Sequence, residues 1–371
     1  MNKDLIQKLN QSEVRVFIAA TGGGSSFIGN YLSVAGGSKT ILGFYVPYAQ
    51  ALFDEFIGGK PDKYVSSAAA RKLAVASYDK ARKLGGNLGM GVSCSLTTGE
   101  GEREGRENWV HIAIHGANFT SCYDTRIDHT FSTRIGQEAF VARIMLDILA
   151  YESGLLPDFI KWEGECYERH EDTTGAAMVM NVDTPVFVYM GNEEYDSFLA
   201  SKKVILGGSF NPFHEAHAEM ARLATEITGY PTVLELCTKN VDKAGLDYLD
   251  LKTRLEPIKD KYPVIITTTP LIMDKISLLK ETLKFGRGSI VFAMGKDTWN
   301  RFLNPKYDKD IQSIVMRLEW MGVKFLVFGR EGDAFDKHHP AEKWRIQDSR
   351  AERFDMKVRS SDIRAGQLAK T

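Results

Sequence analysis

The sequence predicts an α/β protein of two domains: an α/β domain followed by a Rossmann-like, doubly wound parallel sheet. Three observations carry that reading. The chain has 371 residues, too many for one small module and ordinary for two domains. Two tracts alternate short apolar runs with amphipathic stretches, the pattern of a sheet covered by helices. Between them the alternation lapses. The expected layout is a first domain over residues 1–155, a connector over 156–200 and a second domain over 201–371.

In the first tract, Leu5, Ile6 and Leu9 share one face of a polar N-terminal stretch, and Val16–Ala19 reads as a buried strand ending in a Gly/Ser turn. Leu42–Val46 follows as a strand, Ser66–Leu84 as an Ala-rich helix, and Met90–Ser93 and Val110–Ile114 as strands. Ala139, Val141, Ala142, Met145, Leu146 and Leu149 recur at helical spacing and predict a helix over Glu138–Leu149. From Ser153 to Lys203 the pattern breaks into acidic runs, with one strand-like island at Val186–Tyr189 after Pro185.

After Lys203 the alternation is cleaner. Strands are expected at Val204–Leu206, Val233–Cys237, Val264–Thr268, Ile290–Met294 and Val323–Phe328, with helices at His214–Ile227, Tyr248–Ile258, Met273–Leu283 and Ile311–Met321. A strand and helix over Met356–Leu368 complete the series. Five or six strands joined by crossover helices make a doubly wound sheet.

Composition excludes several function classes. Lys and Arg number 47 against 48 Asp and Glu, so no net basic field holds a nucleic-acid backbone or an anionic membrane, and any anion must be held locally. The four cysteines, Cys94, Cys122, Cys166 and Cys237, form no C-x-x-C pair and no metal-like spacing with histidine, which argues against a disulfide framework or a structural metal site. No signal-like core and no apolar run long enough to span a bilayer stands in the sequence, so a cytoplasmic protein is expected. The oligomeric state stays open, a homo-oligomer included.

The strongest chemical signal is Gly207-Gly208-Ser209-Phe210-Asn211-Pro212-Phe213-His214-Glu215-Ala216-His217, between a buried strand and an amphipathic helix. The carboxyl end of such a strand is where open α/β sheets bind ligands. Glycines let backbone N–H groups approach an anion, and the helix N-terminus adds a favourable dipole. Histidines 214 and 217, three residues apart, lie on one helical side and can reach the same phosphate chain. A bare H-x-x-H is common; this context makes it specific.

These residues resemble the H-x-G-H nucleotidylyltransferases, in particular nicotinamide and nicotinate mononucleotide adenylyltransferases, whose usual motif is G-x-F-(D/N)-P-x-H-x-G-H. Ser360-Ser361-Asp362-Ile363-Arg364, about 145 residues downstream, is similar to that family's I-S-S-T-x-I-R element. Ala216 departs from the family's glycine, which puts the base preference in question. A third segment, Phe292-Ala293-Met294-Gly295-Lys296-Asp297-Thr298, resembles the strand followed by G-x-D. Its Asp297 would lie near the acceptor, although an aspartate there serves equally as a helix N-cap.

The resemblance implies attack by a mononucleotide phosphate oxygen on the α-phosphorus of ATP, with loss of pyrophosphate and no protein nucleophile. It assigns His217 to the α-phosphate, His214 to the phosphate chain, and Ser361 and Arg364 to the β,γ end. Gly208, Ser209, Phe210, Asn211 and Ser360 would line the nucleotide, and Gly295 and Asp297 the acceptor. Trp299 or Tyr307 could face a pyridine ring, although either type is more often core. Lys243, ahead of Lys239, is the candidate to neutralise triphosphate charge, with a solvated loop lysine as the plain alternative. Mg²⁺ bound through the phosphates is expected, because it needs few protein ligands. Both phosphate-binding motifs lie after residue 200, so a fragment of residues 200–371 is expected to retain transfer.

In the first tract, Ala19-Ala20-Thr21-Gly22-Gly23-Gly24-Ser25, Ala35-Gly36-Gly37-Ser38 and Phe44-Tyr45-Val46-Pro47-Tyr48 are similar to the C-terminal domain of CinA, a family that includes nicotinamide mononucleotide deamidases. The resemblance puts Ser38 on the nucleophile, Tyr48 on its partner and Arg134 near a late phosphate-binding element. Phe53 stands where the family has lysine and Ala20 where it has glutamate. A serine without an assisting base or cation is a poor nucleophile, so the expectation is a degenerate domain that holds a pyridine nucleotide without hydrolysing it.

The resulting reading is adenylyl transfer to nicotinate or nicotinamide mononucleotide, a step of NAD biosynthesis. Two others stand beside it. One is a cytidylyl- or adenylyltransferase acting on another phosphorylated small molecule. The other is a nucleotide-binding regulatory protein without turnover.

Overall fold

The computed structural model describes residues 1–98, 107–127, 131–157, 166–172, 180, 186–190, 198–199, 201–239, 245–304, 311–329, 335, 339–354, 356, 358, 360, 363 and 366. The chain divides into two compact units, Met1–Asp172 with Asp242–Leu249, and Thr173–Val241 with Asp250–Thr371. Each has its own sheet, in keeping with the expected two-domain α/β organisation.

In the first unit, α1 (Lys3–Gln11) buries Leu5, Ile6 and Leu9, and Asn2 caps it by accepting from the Leu5 N–H. Strands β1 (Val16–Thr21), β2 (Ile41–Tyr45), β3 (Leu88–Cys94), β4 (Trp109–His115), β5 (Phe119–Arg126) and β6 (Cys166–Glu171) form one sheet in the order β2-β1-β3-β4-β5-β6. The first three pair in parallel and the rest run antiparallel. Helices α2 (Ser26–Leu32) and α3 (Gln50–Ile57) follow β1 and β2, and α4 (Ser67–Lys83) lies against β3. A Cβ at Gly89 or Gly91 would come within 2.3 Å or less of α4 backbone atoms, so glycine at both positions sets that close approach. Helix α5 (Arg134–Glu152) begins a turn earlier than its apolar spacing suggests, because Thr133 caps it through the Gly136 N–H.

Strands β5 and β6 depart from the sequence reading. Strand β5 carries Thr120, Cys122 and Asp124 opposite His115, Ala113 and His111, a polar cross-strand row that no search for apolar runs finds.

The second unit forms a sheet in the order β13-β12-β11-β8-β9-β10-β7. Its strands are β7 (Val186–Tyr189), β8 (Lys203–Gly208), β9 (Thr232–Cys237), β10 (Val264–Thr267), β11 (Ile290–Gly295), β12 (Lys324–Phe328) and β13 (Arg345–Ile346). All pairs are parallel except β7 with β10. The helices are α6 (Glu215–Thr228), α7 (Tyr248–Leu255), α8 (Ile272–Leu283), α9 (Lys296–Phe302), α10 (Ile311–Met321) and the short α11 (Ser349–Glu352).

Two expectations change. The stretch read as a connector supplies an edge strand to each sheet, β6 to one and β7 to the other. Among the described residues the sixth parallel strand is β13, because the segment Met356–Leu368 lies mostly outside them. The chain order places β8 between β9 and β11, so the strand order reverses beside β8 and leaves a crevice at its carboxyl end.

Candidate nucleotide-binding site

Strand β8 ends at that crevice. A Cβ at Gly208 would lie 2.4 Å from the Phe210 ring, so the turn needs glycine where Phe210 folds back. Phe210 is fully buried in the left-handed region at φ 44°, and the Asn211–Pro212 peptide is cis. The Phe210 ring meets His217 edge-on at 5.2 Å, and Phe213 stacks on His217 at 5.5 Å. The aromatic part of the motif is thus a packed bed beneath the histidines.

His214 is the N-cap of α6, and His217 lies one turn in. The His214 N–H donates to His217 Nδ1 at 3.3 Å, and the His217 N–H donates to the His214 carbonyl at 2.9 Å. The two rings stack with centroids 3.8 Å apart. Burial, with the neighbouring His214 adding to it, lowers the His217 pKa to about 3, and burial lowers that of His214 too. Both are neutral at pH 7. Because Nδ1 of His217 accepts a hydrogen bond, its proton sits on Nε2, which is left as a donor. Nδ1 of His214 is buried and makes no hydrogen bond among the described residues. This ring nitrogen sits at the N-terminus of a 14-residue helix beside a glycine turn, where the helix dipole and backbone N–H groups favour an anion.

Two further groups join this junction. Ser360 Oγ donates to the Pro212 carbonyl at 3.2 Å, which brings this first residue of the C-terminal motif onto the glycine-rich turn. Arg254 Nη1, from α7, donates to the Ser209 carbonyl at 3.0 Å. Arg254 stands in a Thr-Arg-Leu context that carries no motif, so no sequence signal marks it. Ala216 is buried, so its methyl packs inward.

The acceptor assignments fare unevenly. Gly295 is the N-cap of α9 and Asp297 is exposed in its first turn, so the aspartate is not the cap. Trp299 is a correction. It is 1% exposed and packs on Phe302 and Phe325 at 5.4 and 5.2 Å, a core ring with no face open to a pyridine. Lys243, Tyr307, Ser361 and Arg364 lie outside the described residues, and Lys239 is exposed.

In the first unit, Ser38 is exposed in a 3₁₀ turn (Gly37–Lys39) before β2, whereas Tyr48 is 71% exposed after it. The five residues of β2, a span of about 15 Å, lie between them. Arg134 Nη1 donates to the Thr97 carbonyl, and no hydrogen bond joins Ser38, Tyr48 and Arg134 among the described residues. The Gly24 N–H already donates to the Glu138 carboxylate at 2.9 Å, so a protein carboxylate fills the turn read as an anion cradle. Phe53 is buried beside Tyr64, in an aromatic cluster where a lysine could not remain solvated.

Residues 205–366 match the family model described as cytidylyltransferase-like. The matched stretch, a cytidylyltransferase-like domain, holds the junction of His214, His217 and Ser360. Among solved structures, the chain is similar to a CinA superfamily protein from Escherichia coli, with 15% identity over 40% of this chain and 85% of that one and a TM-score of 0.34. It is also similar to the competence/damage-inducible protein CihA from Agrobacterium tumefaciens, with 17% identity, 40% and 93% coverage and a TM-score of 0.34. A third similarity is to the Plasmodium falciparum nicotinic acid mononucleotide adenylyltransferase, with 16% identity, 44% and 83% coverage and a TM-score of 0.30. No curated protein matches the chain significantly. No helix among the described residues is long and apolar enough to cross a membrane.

Proposed function

We propose that the protein transfers an adenylyl group from ATP to nicotinate or nicotinamide mononucleotide. In this reaction a phosphate oxygen of the acceptor forms a bond to the α-phosphorus, the bond from that phosphorus to its bridging oxygen breaks, and pyrophosphate leaves. The observation that carries the reading is the neutral histidine pair at the start of α6, where, among the described residues, Nε2–H of His217 makes no hydrogen bond and Nδ1 of His214 has no partner. Donors fixed before the ligand arrives can follow charge from the α-phosphate to the departing oxygen without reorganising, which is the larger part of catalysis in phosphoryl transfer. The resemblance of both halves to pyridine-nucleotide enzymes favours the acceptor.

Among the described residues no group of three or more His, Cys, Asp or Glu side chains is arranged to hold a metal ion. Oxygen-rich phosphates are the natural ligands of Mg²⁺, which would enter with the triphosphate and neutralise its charge.

The test is pyrophosphate release by the full chain with Mg·ATP or Mg·CTP against nicotinate mononucleotide, nicotinamide mononucleotide and a panel of other phosphorylated small molecules. Release with ATP and a pyridine mononucleotide is expected. Release only with CTP, or only with a different acceptor, overturns the substrate assignment, and thermal stabilisation by ATP without pyrophosphate overturns turnover itself.

A further inference from the structure

A buried ion pair lies beneath the glycine-rich turn, on residues that the histidine motif does not include. Glu235 in β9 is 1% exposed and Lys275 in the first turn of α8 is 7% exposed. Lys275 Nζ donates to Glu235 Oε2 at 2.7 Å, and Thr267 Oγ1 at the end of β10 donates to Oε1 at 2.6 Å. Glu235 stands opposite Gly207 in the neighbouring strand, and its Oε2 lies 3.3 Å from where a Gly207 Cβ would be. The pair thus forms the floor of the turn that leads to His214.

A carboxylate is a poor floor for a triphosphate site. In a region largely closed to water its charge is weakly screened, and it would repel an anion arriving one residue above. Burying two charges is also costly compared with an apolar pair of the same size, so stability alone gives little reason for this arrangement. Lys275 removes the difficulty by making the floor neutral while Thr267 fixes the carboxylate's direction.

We propose that Lys275 is a positioning and charge-balancing residue for nucleotide binding, pairing with Glu235 under Gly207 so that the buried carboxylate does not repel the triphosphate. The proposal rests on the reading of this turn as the phosphate site and adds that its occupancy depends on the balance of charge beneath it. Lys275 acts through Glu235, with no contact to the substrate.

The experiment is calorimetric titration of the full chain with ATP and with AMP, using Lys275→Met, Glu235→Gln and the double variant, each checked by thermal melting. Lys275→Met is expected to weaken ATP on the order of tenfold, with a smaller loss for AMP. Glu235→Gln keeps an acceptor for Lys275, leaves a positive floor and should bind ATP more tightly than the unmodified chain. The double variant should return to near the original affinity. A structural defect would weaken both ligands alike, so equal losses for ATP and AMP overturn the proposal. If Lys275→Met does not fold, Glu235→Gln decides, and unchanged or weaker ATP binding there overturns it. An unmodified chain without ATP affinity instead overturns the phosphate-site reading itself.

Discussion

Ser360 Oγ donates to the Pro212 carbonyl at 3.2 Å, a hydrogen bond between residues 148 positions apart. It fastens Ser360 to the turn that carries the histidines, at the rim of the crevice. Removing it should loosen the rim without altering the reacting groups. Ser360→Ala is expected to raise KM for ATP about fivefold, the worth of roughly 1 kcal/mol for one hydrogen bond, with kcat little changed. Steady-state kinetics with ATP varied checks this, and a fall confined to kcat contradicts it.

His217→Ala should reduce kcat on the order of 100–1000-fold while the melting temperature stays close to the original. In the proposed reaction the lost group would donate where charge develops, and its ring contributes only part of the packing on Phe210 and Phe213. A less than fivefold fall in turnover rules out the role.

Acid should destabilise the first unit through His115. This ring is buried against Tyr78 and hydrogen-bonds Thr120, and burial lowers its pKa to about 3 from 6.5. The unfolded chain therefore binds a proton that the folded one refuses between those values. The stabilising contribution is fully present above pH 6.5 and is lost as the pH falls toward 3, at a slope of about 1.4 kcal/mol per pH unit. His217 shifts in the same direction. His115→Gln should flatten the acid limb of urea-unfolding stability measured from pH 7 to pH 4, and an unchanged slope counts against this origin.

The fragment of residues 200–371 is expected to behave worse than the sequence suggests. It lacks β7, which covers the edge of β10, and an uncovered apolar edge strand invites association. It also contains Asp247, Tyr248 and Leu249, which group with the first unit, where Asp247 pairs with Arg71 at 2.9 Å and Tyr248 stacks on His115. A fragment beginning at residue 180 should remain soluble at concentrations where one beginning at 200 aggregates, as light scattering would show. Equal solubility would mean that the edge needs no cover.

No ammonia should be released from nicotinamide mononucleotide by the full chain. Ser38 and Tyr48 flank opposite ends of β2, and Phe53 supplies neither charge nor a proton acceptor. Release that disappears in Ser38→Ala would show that these residues meet in some other arrangement and that the protein has a second activity.

The sequence by itself determined the α/β class, the doubly wound second sheet and the histidine junction, because each is written in local chemistry. Buried parallel strands such as Val204–Leu206 are apolar runs, helices such as Glu215–Thr228 have one apolar side, and a Gly-Gly turn before two histidines needs no distant partner to be recognised. Only the tertiary structure decided what depends on residues far apart in the chain. It turned Trp299 inward onto Phe325, set Arg254 on the Ser209 carbonyl, brought Ser360 to Pro212 and placed Lys275 beneath Gly207. It also revealed β5, whose polar residues are paid for by His111 and His115 across the ladder. The reason is the same in each case: burial and pairing belong to the neighbour that a side chain meets, and a linear pattern shows only the neighbours along the chain.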